Sequence, residues 1–298
     1  MNLWTHVEET YGLKFQDIFK VHGVHRIETS QGRFCLKKYS FAEDSVRFIA
    51  RLLYVLHERG FMRAQGVYPT LEQIGYMNHD GVFYTLTNWV DGDRPEFRKT
   101  GDFKKAIRTL ARFHSAAQGF PVAEAPEGRV RYGEAAGDIE EYKRLLGHYA
   151  ETAFLVPLCE EALWLLAQPD AQQAVVSEFQ AAAFVHGDYN YPNLIKDGRG
   201  RLHLIDFENT SLNARMKDLA HILHRNFLWN GREMLRWIDY YERKRPLSPH
   251  DLHLLHALLT APYHVVRNIR IGGYRYAKSV IPSSSRLRKY RRELRELL

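Results

Sequence analysis

Cysteine is scarce in this chain of 298 residues, with Cys35 and Cys159 the two present. Two cysteines build neither a disulfide framework nor a cysteine-rich metal site, so both read as small buried hydrophobes in a reducing, intracellular setting. Long apolar runs are missing too: none approaches the eighteen residues or more of a membrane span. The first ten residues hold two glutamates and no apolar core, so no secretory signal is expected there. Internal repeats and low-complexity segments are absent, which sets aside solenoid and fibrous classes. What remains is an ordinary globular composition, 45% apolar, long enough for two separate cores.

Charge is uneven. The net charge is +7 and the pI near 9.3, and six Lys or Arg fall between Arg286 and Arg295. Residues 283–298 read as a serine-capped basic helix, able in principle to meet nucleic acid, a membrane surface or an acidic protein. A solvated helical face is the more economical reading, and nucleic acid is not expected as a partner.

Short β-like pieces open the chain, at Ile18-Phe19-Lys20-Val21, His25 to Thr29, and Phe34-Cys35-Leu36-Lys37, with Gly23 and Gly32 in the turns. Val46, Ile49, Leu52, Leu53 and Leu56 then form a helical stripe stopped at Gly60. Two more strands are expected near Ile74 to Met77 and Val82 to Thr87. From Asp102 the periodicity turns helical, with stripes through Phe103 to His114 and Ile139 to Tyr149 separated by an exposed Gly- and Pro-rich loop at 119–137. Further helices are expected near 157–167, 170–182, 215–229, 231–244, 248–258 and 261–271. The fold class is therefore α+β: a small strand-rich part, residues 1–88, then a larger helical part, residues 89–298.

The chemistry concentrates in His186-Gly187-Asp188-Tyr189-Asn190-Tyr191-Pro192-Asn193 and Leu204-Ile205-Asp206-Phe207-Glu208. Asn193 follows Asp188 by five positions, the Asp-to-Asn spacing of the protein-kinase catalytic loop, and Asp206 follows thirteen later. Leu194-Ile195 and Leu202 to Ile205 read as two strands about a turn at Asp197-Gly198-Arg199-Gly200, which returns Asp206 towards Asn193. Phosphoryl transfer needs an orienting base and hard oxygen ligands for Mg²⁺. Asp188 is the candidate base; Asn193 and Asp206 are the candidate metal ligands. Glu208 shares the face of Asp206 if the chain stays extended, and supports it. His186 is expected to anchor the loop. His221 and His224, three apart on one helix, have the spacing of a zinc pair, but no third ligand joins them.

Gly32-Arg33-Phe34-Cys35-Leu36-Lys37-Lys38, Leu86 to Gly92, Leu110-Ala111-Arg112-Phe113-His114, the two motifs above and Lys217-Asp218-Leu219-Ala220 occur in that order. Together they resemble the aminoglycoside phosphotransferase and choline kinase superfamily, and within it the CotS-type spore coat proteins. The resemblance implies a two-lobed protein-kinase-like fold and an ATP- and Mg²⁺-dependent transfer to a hydroxyl of a small molecule or protein. It implies that Lys37 anchors phosphate, that Asn88, Trp89 and Val90 form the interlobe hinge facing adenine, and that Asp218 holds the catalytic loop. A cytoplasmic mother-cell protein assembled among other spore coat proteins is the setting it implies.

Two departures from the kinase pattern stand out. The first helix carries Arg47 and Arg51 at its middle, where a glutamate usually locks the lysine, leaving Glu43, Asp44 or Glu58 as substitutes. The first hairpin has Gly23 alone between His22 and His25 rather than a glycine-rich lid. An inactive, kinase-shaped coat scaffold is therefore the alternative reading.

Overall fold

In the computed structural model of the chain, which describes residues 2–298, the elements follow one another as α1 (Leu3–Tyr11), β1 (Phe15–Val21), β2 (Val24–Thr29), β3 (Gly32–Tyr39), α2 (Glu43–Glu58), β4 (Met77–His79) and β5 (Val82–Asn88). Then come α3 (Thr100–Ala116), α4 (Glu134–Gly147), α5 (Val156–Leu166), α6 (Pro169–Gln180), β6 (Phe184–Val185), β7 (Leu194–Lys196), β8 (Leu202–Leu204) and β9 (Ser211–Leu212). Helices α7 (Met216–Asn226), α8 (Gly231–Glu242), α9 (Pro249–Thr260), α10 (Tyr263–Ala277) and α11 (Ser284–Leu294) close the chain. Strands first and helices after is the α+β order read from periodicity. Two compact units result: residues 1–96 with 119–130 and 191–210, and residues 97–118 with 131–190 and 211–298.

The first unit is built on an antiparallel sheet of order β1-β2-β3-β5-β4. Ile27, Leu36 and Leu86 alternate onto one face and are fully buried, with Val7 and Tyr11 of α1 packed against them. Helix α1 was not anticipated from sequence. Asn2 caps it by accepting from the Thr5 amide at 2.9 Å, and Gly12 ends it at φ 63°. Burying Val7 and Tyr11 is worth roughly 1.5–3 kcal/mol for a side chain of that size, and explains why so short a helix persists. The strand expected at Ile74 to Met77 begins only at Met77. Upstream, Gly75 runs so close to α2 that a Cβ there would lie 2.8 Å from the Ala50 Cβ.

Helix α2 buries Val46, Ile49, Leu52, Leu53 and Leu56 as its stripe required. The loop read as exposed beyond residue 119 is partly buried instead. Phe120 packs on Phe48 with ring centroids 4.9 Å apart, and the Arg129 guanidinium lies 5.1 Å from the Phe41 ring. A Gly- and Pro-rich composition concealed these two anchors.

The second unit is helical. Helix α9, entered through a Ser248–Asp251 capping box, buries Leu254, Leu255, Ala257 and Leu259 and packs on α5, α6 and α7. Arg215 donates to both carboxylate oxygens of Glu178, from 2.7 to 3.0 Å, and both side chains are nearly inaccessible. Helix α10 runs past the end expected at 271, kinking at Gly272 and Gly273, the latter at φ 71°. The basic helix α11 is capped by Ser283 as expected, but it is not a wholly solvated face. Tyr290 and Leu294 are buried and the Tyr290 hydroxyl donates to the Leu259 carbonyl at 2.7 Å. Among the described residues, no helix is long and apolar enough to cross a membrane.

Candidate functional site

Lys37 lies on β3 and points away from Lys38, as strand alternation requires. Its ammonium meets the Asp206 carboxylate at 2.6 Å and Glu208 at 2.9 Å. Burial alone would push the Lys37 pKa down, but Tyr39, Asp206 and Glu208 outweigh it and the pKa is raised. The substitutes considered on the first helix are used elsewhere. Glu43 accepts from the Tyr76 hydroxyl, Asp44 from the Ser45 amide, and Glu58 pairs with Arg51.

Asp206 follows the β7–β8 hairpin, whose turn closes by the Gly200 amide donating to the Asp197 carbonyl at 2.8 Å. The chain does not stay extended after β8: Asp206 has φ 67°, a left-handed conformation that aspartate tolerates at some cost. Glu208 therefore reaches Lys37 through a turn, not through strand alternation, which corrects the reason given for its placement. Two residues unforeseen in the sequence hold this turn. Gln65 accepts from the Asp206 amide at 3.3 Å while its own amide donates to Thr87, and Arg129 donates to the carbonyls of Glu208 and Thr210 at 2.6 and 2.9 Å.

Lys37, Asn193 and Asp206 line one cavity of about 430 Å³ within the sheet-bearing unit, together with Trp89, Val90 and Arg94. Asn88 is the last residue of β5 and is not part of that lining. Its side chain accepts from the Gly66 amide at 2.5 Å and its own amide donates to Gly66. The Trp89 amide donates to Arg33 at 2.9 Å, whereas the Val90 amide makes no hydrogen bond among the described residues. Arg94 was not singled out from sequence; it lies within electrostatic reach of Asp206 and donates to the Leu194 carbonyl at 3.3 Å. Cys35 also lines the cavity, and burial pushes its thiol up to about 11.

The hairpin over this cavity turns at His22 (φ 44°) and Gly23 (φ 87°), the two positive angles of a type I′ turn. Such a turn is too tight to wrap a polyphosphate in several backbone amides. Asp206 and Asn193 supply the hard oxygens suited to Mg²⁺, an ion commonly held by one or two carboxylates plus nucleotide phosphates. Among the described residues, no group of three His, Cys, Asp or Glu forms a self-sufficient metal cage. The donor set fits a metal that arrives with a nucleotide.

The chain passes between units within the loop 186–193, and Asp188 belongs to the helical one. There Asp218, fully buried on α7, accepts from the His186 amide at 2.7 Å and the Gly187 amide at 3.0 Å. Burial raises its pKa, but His114, His186 and these amides outweigh that and hold it below the usual carboxylate range. His114 stands 3.5 Å from Asp218 and shares a hydrogen with the Tyr241 hydroxyl at 2.7 Å; sequence showed it only as one position of a helical stripe. His186 is fully buried and its Nδ1 accepts from the Asp188 amide at 3.3 Å. Asp188 is half-exposed, with Oδ1 2.5 Å from Arg225, a residue that sequence gave no reason to name. His221 stacks on Tyr263 at 4.3 Å, and His224 faces the Leu258 carbonyl at 3.1 Å.

Comparison with known proteins bears on this arrangement. An aminoglycoside phosphotransferase from Alicyclobacillus acidocaldarius is similar over 100% of this chain and 95% of its own, with TM-score 0.75 at 20% identity. An amicoumacin kinase solved with AMP-PNP and Ca²⁺ aligns over 99% of this chain and 92% of its own, with TM-score 0.62 at 12% identity. A spectinomycin phosphotransferase solved with ADP and spectinomycin aligns over 99% and 97%, with TM-score 0.59 at 12% identity. At these identities the likeness establishes the fold, which is kinase-like. The model of the phosphotransferase enzyme family matches residues 22–249, most of the chain and every residue weighed above as part of the site, and the protein belongs to that family.

Proposed function

We propose that the protein transfers the γ-phosphoryl group of ATP to a hydroxyl group of an acceptor. The observation that carries this reading is Lys37 gripped by Asp206 and Glu208 in a cavity that Asn193 also lines. In this reading residues 1–88, with Trp89 and Val90 beside them, hold the nucleotide, and residues 89–298 carry the catalytic loop, the metal ligands and the acceptor region. Val90 offers its unspent amide to the adenine edge beside the Trp89 ring, while Asn88 serves to fix the hinge. Lys37 receives the phosphates, and Asn193 and Asp206 hold Mg²⁺. When bound, that ion neutralises the charge spread over the transferring phosphoryl group. Glu208 keeps Lys37 placed.

Asp188 accepts the proton of the acceptor hydroxyl. As that oxygen bonds to the γ-phosphorus, the bond from phosphorus to the β–γ bridging oxygen breaks, and ADP leaves with the electron pair. A positioned base of this kind contributes about 10²–10⁴-fold. His186 and Asp218 act through the loop backbone, holding Asp188 in place.

The likeness to CotS-type proteins supports a mother-cell protein that assembles into the spore coat; a fluorescent fusion followed through sporulation tests that. The tight turn at His22 and Gly23 favours a second reading, a coat scaffold that has lost turnover. Thermal melting with MgATP, on the native chain and on Asp206→Asn, separates the two. Ligand at a hundred times its dissociation constant stabilises by about 2.7 kcal/mol, a rise of several degrees. A Mg²⁺-dependent rise lost in the variant is expected; no rise at millimolar MgATP leaves the scaffold.

A further inference from the structure

If Asp188 takes the acceptor's proton, the acceptor hydroxyl lies within hydrogen-bond reach of it, and the charges around Asp188 select the acceptor. Those charges are unusual for a site meant to receive an amine. Arg225, on α7 and largely buried, already neutralises Asp188 at 2.5 Å. Carboxylates on the neighbouring α4 are engaged as well: Glu134 and Asp138 by Lys217, and Glu141 by Arg270 at 2.8 Å. The side chain of Arg267, half-buried on α10, makes no ion pair or hydrogen bond among the described residues. It stands one helical turn beyond Tyr263, whose hydroxyl feels Arg225, Arg267, Asp188 and Lys217 together. The cavity beside Tyr263 is lined by Lys217, His221 and Asp138, and its carboxylate is the one paired with Lys217. Burial holds His221 down at about 3, so that ring adds no charge at neutral pH.

A half-buried arginine whose side chain has no ion pair keeps its planar fork of donors available to a carboxylate or phosphate. A polycationic acceptor would meet Arg225 and Arg267 where Glu134, Asp138 and Glu141 are already paired. Resting on the phosphotransfer reading for the role of Asp188, we infer that the acceptor is a hydroxylated oxyanion, its carboxylate or phosphate ester received by Arg267 together with Arg225. Arg225 has five N–H donors and spends one on Asp188, so it can turn others to that anion.

The test uses the full chain saturated with MgAMP-PNP, titrated with sulfate at constant ionic strength and followed by thermal melting. Sulfate should raise the melting temperature, and Arg267→Ala should raise the sulfate needed by about tenfold, with Arg267→Lys between. Three outcomes overturn the inference: no response to sulfate, a response unchanged in Arg267→Ala, or a response to spermidine in its place. A sulfate response abolished by Lys37→Met but not by Arg267→Ala belongs to the nucleotide cavity and overturns it too. Failure of MgAMP-PNP itself to stabilise the chain refutes the phosphotransfer reading separately. Phosphoryl transfer from MgATP to glycerate against glycerol 3-phosphate, read as ADP formed, then decides between carboxylate and phosphate ester.

Discussion

Replacing Asp206 by Asn and Glu208 by Gln, singly and together, tests whether Lys37 depends on two carboxylates at once. Both pairs are short, at 2.6 and 2.9 Å, yet the carboxylate side chains are 40% and 36% exposed. Solvent screening keeps either single loss near the ~0.2–1 kcal/mol of surface ion pairs. Lys37 is different, with a side chain only 17% exposed. Losing both partners leaves its ammonium mostly out of water, with the Tyr39 ring 5.5 Å away. The cost should then climb towards the ~3 kcal/mol of breaking a buried pair, at least ~1 kcal/mol beyond the sum of the single losses. Urea unfolding of the four proteins without nucleotide measures this coupling. Lys37→Met should cost less than the double variant, since it removes the charge that needs partners. Losses that add within about 0.5 kcal/mol, or a Lys37→Met as damaging as the double variant, would refute the reasoning.

Other expectations follow from the same contacts. Asp188→Asn should lower turnover by about 10²–10⁴-fold and leave the MgATP melting shift intact; turnover near native removes Asp188 from its role. Arg94 lines the cavity with Lys37, so Arg94→Met should weaken nucleotide binding several-fold by calorimetry while leaving the unliganded melting temperature in place; unchanged affinity would mean that Arg94 does not touch the nucleotide. Glu178→Gln leaves Arg215 buried without its anion and should cost about 3–5 kcal/mol. Burial raises the Glu178 pKa but Arg215 more than offsets it and holds it low. That stability is full above the unfolded value near 4.5 and is lost as pH falls through the folded one, so the variant's acid limb should be flatter. Burial also holds His114, His224 and His256 down at about 4. The unfolded chain takes up these protons near 6.5 and the folded chain does not until about 4, so stability should fall as pH drops across that window. Melting temperatures flat from pH 7 to 5 would contradict it.

Spacing along the chain carries local geometry well and distant partners poorly, and the site divides along that line. The β7–β8 hairpin was legible because a turn sequence between two apolar runs needs nothing from elsewhere. It brings Asn193 and Asp206 to one cavity. Asp218 was legible only through its resemblance to a family motif, since its hydrogen bonds to the amides of His186 and Gly187 span more than thirty positions. Gln65, Arg129 and Arg225 left no local trace: each is an ordinary polar residue until the fold supplies a partner. Helix α1 escaped for a related reason, because its stripe is two residues long and its stability comes from the sheet it covers. The missing glutamate on α2 is the most instructive case. Arg47 and Arg51 correctly excluded the usual partner of Lys37, but absence at one position says nothing about supply from another. A lysine bound by two carboxylates from the segment after β8 is already fixed in place. The arginines on α2 are then free to serve other ends, as Arg51 does with Glu58 and Glu124.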